Sequence, residues 1–251
     1  MPRVFGTRTD TSSKVEKSGR NNAMTDYELK DVVEDVEDLL AKVETSFDIR
    51  FDDNELINIA TFGQLCDHIT NKIQLENTAG CTSQQAFYKL RNAISSTFHV
   101  DSRTITAGTA LKDILPRSKR RFKVEEIEKY LGFKLNLLSP PGWVTLTFII
   151  ILFASLLGMI INWKIGLSGL CFSIFGMKYA NIIGNELNLQ TVGQVVKKMT
   201  HENYLKSRRN PKTFNREEIE KVLIDWFSDV LGVDKSKLTK DAKDEKTRLV
   251  F

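Results

Sequence analysis

The sequence predicts a mainly α-helical protein in which small helical bundles are interrupted by a two-helix transmembrane hairpin. Three observations carry that reading. The run Trp143–Ile161 holds no charged residue. A second apolar run, Ile165 to Ile183, starts after only Asn162-Trp163-Lys164 and is broken once, by Lys178. Segments on both sides of these runs share short motifs whose apolar residues recur at helical spacing.

The small net charge of +4 averages over regions of opposite character. Residues 1–25 form a polar tail without an apolar stretch, so they are not a secretory signal, and their composition predicts disorder. Met24 is an alternative start. Residues 26–75 are acidic, and Glu34, Asp35, Glu37 and Asp38 fall close together on a helical segment. That acidic face reads either as solvated surface or as a docking site for a basic partner. Residues 83–137 hold two further helices and the dense basic cluster Arg117, Lys119, Arg120, Arg121 and Lys123. The hairpin takes residues 143–183, and 186–201 supply another helix. A basic linker (202–213), a helix-bearing segment (214–242) and a polar tail (243–251) complete the chain.

The first hairpin run is about 28 Å long as a helix, close to the hydrocarbon thickness of a bilayer. Pro140-Pro141-Gly142 stops what precedes it, and Trp143 and Trp163 bracket it at interface depth. The three-residue link forces the helices to run antiparallel. Gly166, Gly169 and Gly176, with Ser168 and Ser173, supply small positions for close packing. Lys178 reads as a snorkelling residue near a helix end. Cations cluster on the two outer flanks, with Lys197, Lys198, Lys206, Arg208 and Arg209 after the hairpin, whereas the turn carries only Lys164. The positive-inside rule therefore places both flanks, and both termini, in the cytoplasm. Arg117, Lys119, Arg120 and Arg121 are candidates for holding lipid headgroups. Nucleic acid is not expected as a partner, because the basic residues lack interleaved aromatics.

Little in the sequence points to catalysis. Cys66, Cys81 and Cys171 lack ligand spacing and read as reduced thiols, buried or membrane-embedded. His68, His99 and His201 are dispersed, so no metal site is expected. Gly-rich phosphate loops and nucleophile elbows are absent, and the chain is read as a non-enzyme without cofactor.

The motifs on the two sides of the hairpin repeat. Ile59-Ala-Thr-Phe-Gly-Gln-Leu-Cys-Asp-His-Ile69 matches Leu189-Gln-Thr-Val-Gly-Gln-Val-Val-Lys-Lys-Met199, with Thr, Gly and Gln in register. Val100-Asp-Ser-Arg-Thr-Ile-Thr106 matches Val233-Asp-Lys-Ser-Lys-Leu-Thr239, each following an amphipathic helix (Ala86 to Phe98 and Arg216 to Leu231). The third pair is Val43–Phe51 with Glu128–Asn136, each closing a helix and then alternating.

Taken in order, these elements resemble the acyl carrier protein family. Asn215 to Ala242 is similar to the family's first helix and following loop, and Glu37 to Ile69 to its second, third and fourth helices. Ser83 to Phe133 resembles the first two helices, and Asn188 to Met199 the last, with the hairpin inserted before it. The resemblance implies two carrier-like bundles, the second permuted so that 26–75 is completed by 214–242. Exchange of that helix between two chains would satisfy the same pattern and give a homodimer. The family carries phosphopantetheine on the Ser of an Asp-Ser-Leu motif at the start of its second helix. Counting back from Phe47 reaches Val33, and from Phe133 reaches Lys119, beside Ser118 in Pro-Arg-Ser-Lys-Arg-Arg. Asp101-Ser102 and Ser228-Asp229 fall in or beside the first helix of each unit instead.

The expected function is that of a non-enzymatic scaffold, anchored in the bacterial inner membrane, which holds an unidentified cytoplasmic protein at the bilayer. The alternatives are a membrane-tethered acyl carrier in fatty-acid or lipid synthesis, modified at Ser118, and a lipid-binding hairpin whose soluble parts oligomerise.

Overall fold

The computed structural model describes residues 35–52, 54–57, 59 and 61–238. The expectations for the tails 1–25 and 243–251, for Glu34 and for Val33 lie outside the described residues. In chain order the helices are α1 (residues 35–47), α2 (Phe62–Lys72), α3 (Thr82–Phe98), α4 (Leu111–Ile114), α5 (Arg120–Leu131), α6 (Gly142–Ile161), α7 (Trp163–Ile183), α8 (Val192–Glu202), α9 (Tyr204–Ser207) and α10 (Arg216–Leu231). The protein is mainly helical, as the apolar periodicity predicts. The described residues divide into two compact units, one of those from 35 to Gln74 with those from Ile219 to Leu238, the other of Leu75–Glu218.

The second unit, Leu75–Glu218, buries one apolar core. Ala86, Leu90 and Ile94 of α3 share it with Val124, Ile127 and Leu131 of α5 and with Val192, Val195 and Met199 of α8. Two short parallel strands, β1 (Glu76–Asn77) and, late in the unit, Thr213–Phe214, lie side by side. Beside them Arg208 is almost wholly buried. Its guanidinium donates to the Gly80 carbonyl at 3.1 Å and the Thr78 hydroxyl at 2.8 Å, and lies 3.7 Å from Glu218. Glu218 in turn accepts the Thr82 N–H at 2.8 Å, satisfying a free donor at the start of α3. Arg208 is thus a structural cation, whereas the sequence reading counts it in a basic membrane flank.

In the first unit, α1 and α2 bury Val36, Leu40, Val43, Phe62, Leu65 and Ile69, and α10 buries Ile219, Leu223, Trp226 and Phe227. Phe62 and Phe227 meet edge to face at 5.1 Å between centroids.

The sequence repeats extend to individual hydrogen bonds. Thr61 and Thr191 each cap a helix with a reciprocal Gln, Gln64 and Gln194. Ser95 donates to the Val100 carbonyl and Ser228 to the Val233 carbonyl, both at 2.7 Å. Asp101 accepts from Arg103 N and Asp234 from Ser236 N, both at 2.9 Å. Glu44 accepts the N–H of Phe51, and Glu128 that of Leu135. This last pair corrects the sequence register by one residue: Glu44, not Val43, corresponds to Glu128. The burial pattern agrees, since Val36, Leu40, Val43 and Phe47 match Arg120, Val124, Ile127 and Leu131, all buried.

Candidate membrane interface

Helices α6 and α7 form an antiparallel hairpin that rises between two short strands, β2 (Leu138–Ser139) and β3 (Glu186–Leu187), paired antiparallel at its base. Asn162 makes the turn, accepting the Lys164 N–H at 3.1 Å to cap α7. The seam between the helices is built from small residues. A Cβ added at Gly166 would fall 2.2 Å from Met159 Cγ and 2.6 Å from Met159 N. One at Gly169 would fall 2.3 Å from Ser155 Oγ. Ser173 is fully buried and donates across the seam to the Phe148 carbonyl at 2.7 Å.

The outer surface is the reverse. Leu146, Ile150, Phe153 and Leu157 on α6, and Leu167, Phe172, Phe175 and Ile182 on α7, are exposed. An exposed contiguous apolar surface of this kind marks a buried interface. With 20 residues, α6 rises about 30 Å, the hydrocarbon thickness.

Among the described residues one helix, α6, is both long and apolar enough to cross a membrane. The sequence reading expects two. Helix α7 has the length, with 21 residues, but Lys164, Lys178 and Asn181, together with its seam glycines, dilute its apolar character. The residues that make α7 fit α6 are in part those that lower its apolarity. Lys178 is exposed and lies near the end of α7 that returns to the base.

The base separates the four candidate headgroup residues. Arg121 is exposed on α5. Lys119, also exposed, sits at the N-cap in the left-handed region (φ 63°). Arg117 is ion-paired with Glu186. Arg120 is buried and donates to the carbonyls of Leu115 at 2.9 Å and Asn185 at 2.7 Å, tying α5 to the chain leaving the hairpin. Ser118 is exposed in the turn just before α5. On α1, Asp35, Glu37 and Asp38 are exposed opposite the buried Val36, Leu39 and Leu40.

Cys66 is buried, Cys171 is exposed on α7, and Cys81 is exposed at the start of α3, away from both settings expected of the thiols. Among the described residues no group of His, Cys, Asp and Glu is placed to hold a metal ion. Sequence reasoning missed Phe122, Glu125 and Lys134, which line the base of the hairpin with Arg121. Their only signal is alternation of charge and apolar character along α5, which any solvated helix shares. No protein-family model, curated protein or solved structure matches the chain.

Proposed function

We propose that this chain is a non-enzymatic, membrane-anchored scaffold of two carrier-like helical units, held at the bilayer by α6 and α7 together. The observation that carries the reading is the inverted dressing of the hairpin: small and polar side chains line its seam while large apolar ones face outward. In water that surface is costly, and in lipid it is the ordinary arrangement of paired helices. Entry of α7 beside α6 satisfies its backbone internally and leaves Lys178 within snorkelling reach of the base. Exposed Lys119 and Arg121 at the base favour the cytoplasmic side, as in an inner membrane, with Asn162 outside. The acidic face of α1 (Asp35, Glu37, Asp38) would receive a basic cytoplasmic protein.

Alkaline carbonate extraction of cell membranes tests the anchor, and labelling of an Asn162→Cys variant by an impermeant thiol reagent tests the topology. The expected result is retention in the pellet and labelling from the outside only. Release by carbonate would sink the reading.

A membrane-tethered acyl carrier is the second reading, favoured by the exposure of Ser118 immediately before α5. Its test is the intact mass after co-expression with a broad-specificity phosphopantetheinyl transferase. A gain of one phosphopantetheine, lost in Ser118→Ala, would establish the carrier. An unchanged mass, with a control carrier modified in the same cells, would leave the scaffold.

A further inference from the structure

A cavity of about 610 Å³ opens at the base of the hairpin, between the outer face of α5, the segment 134–138 and the end of α7. Its floor and rim combine three kinds of surface. Phe122, Leu138 and Ile182 are apolar, and both Phe122 and Ile182 are exposed. Arg121 and Lys134 are cationic, with Lys134 2.9 Å from the buried Glu128. Glu125 stands one helical turn beyond Arg121, on the same face of α5, where its charge also acts on Lys134.

The fold does not require this set. The unit built on α1 repeats the same helix, and the positions equivalent to Arg121, Phe122 and Glu125, counted from the Glu44 and Glu128 hydrogen bonds, hold Glu37, Asp38 and Ala41. Both versions bury the same core positions. The cation, the aromatic ring and the acid are additions confined to the copy that carries the hairpin. The first turn of α5 is also free of acidic residues and carries Arg121, where the helix dipole disfavours a cation. An anionic group bound there offsets both.

We infer that this cavity holds the headgroup of an aminophospholipid, a reading that rests on the membrane anchor proposed above. The phosphate lies at Arg121 with Lys134 beside it, the ammonium at Glu125, and the glycerol and first acyl carbons against Phe122, Leu138 and Ile182. The lining carries two cations and two carboxylates, so a zwitterion matches it better than a purely anionic headgroup.

Native mass spectrometry of the full chain in detergent micelles tests the assignment, with phosphatidylethanolamine, phosphatidylcholine and phosphatidylglycerol of the same acyl composition. The expected result is one retained phosphatidylethanolamine, favoured over the other two by about tenfold, the worth of one charge-assisted hydrogen bond. Glu125→Gln removes the preference over phosphatidylcholine, and Arg121→Gln lowers retention of all three. Both side chains are exposed, so neither change threatens the fold. Equal retention of the three lipids, a preference for phosphatidylglycerol, or an indifferent Arg121→Gln variant would overturn the cavity. Competition by soluble glycerophosphoethanolamine at equal concentration would overturn the lipid assignment, leaving a headgroup-only site. Carbonate extraction separates the two failures: a chain that stays in the membrane yet shows no lipid preference loses the cavity alone.

Discussion

Glu128 reaches seven residues along the chain to accept the backbone N–H of Leu135 at 2.8 Å, closing the loop that follows α5. Its other oxygen pairs with Lys134. The carboxylate is buried, so truncation leaves a peptide N–H without a partner. Glu128→Ala is expected to destabilise the Leu75–Glu218 unit by about 2 kcal/mol, and Glu128→Gln by less, because it keeps the acceptor. Denaturant unfolding of the two variants gives the comparison.

Arg208 is the largest fully buried side chain among the described residues. Arg208→Met keeps much of the volume but takes the counter-ion from Glu218 and the donor from the Gly80 carbonyl. Removing one partner of a buried ion pair costs about 3–5 kcal/mol. The expected outcome is a low-melting protein by circular dichroism, with Arg208→Lys no full rescue because one ammonium cannot span the same acceptors.

In the hairpin, Gly166→Val is expected to separate α6 from α7, since its Cβ meets backbone as well as side chain of Met159. Gly142→Ala is the control, as nothing lies within 4 Å of its added carbon. Thermal unfolding in micelles should show the first variant melting earlier and the second unchanged.

Glu55 predicts an acid limb. Its carboxylate accepts from Lys72 Nζ at 2.6 Å and from Asp52 N at 2.7 Å, with His68 Nε2 also at 2.7 Å. Lys72 foremost, then the Asp52 N–H, hold its pKa down at about 2, against 4.5 for a free glutamate. The folded value lies below the unfolded one, so the group's contribution is complete above pH 4.5 and is lost as pH falls toward 2. Glu55→Gln should flatten the stability profile across that window. An unchanged slope would place the acid sensitivity elsewhere.

The matched caps give a paired test of the repeat. Thr61→Ala and Thr191→Ala should each cost about 1 kcal/mol. Two well-separated losses in a multi-step unfolding curve would assign them to different units, whereas loss of one transition by both would contradict the division.

The helical character of the chain was legible because apolar spacing and turn chemistry act locally. Thr61 and Thr191 announce their caps through the Gln three residues later, and Pro140-Pro141 announces the start of α6. What was not legible depends on distance. Arg208 and Arg209 are neighbours of one type, yet only Arg208 is enclosed by residues some 130 positions earlier, Thr78 among them. Arg120 is likewise buried by a carbonyl from beyond the hairpin. The one-residue error that set Val43 against Glu128 arose because the Phe residues that end each segment fall in different places, while the hydrogen-bonding acids Glu44 and Glu128 do not. The cavity at Arg121 joins α5 to Ile182 across the whole hairpin, a juxtaposition no local pattern encodes.

Helix α8 belongs to the same core as α3 and α5, but the hairpin is made before it. A ribosome releasing this chain in order therefore delivers α3 and α5, then some forty residues of hairpin, and only then the closing helix. With chain growth at about 5–20 residues per second, α3 and α5 wait several seconds with an open apolar face. Bundle closure is thereby timed by delivery of the hairpin, and the core stays unfinished, its apolar face open to proteolysis, for as long as α6 and α7 take to emerge.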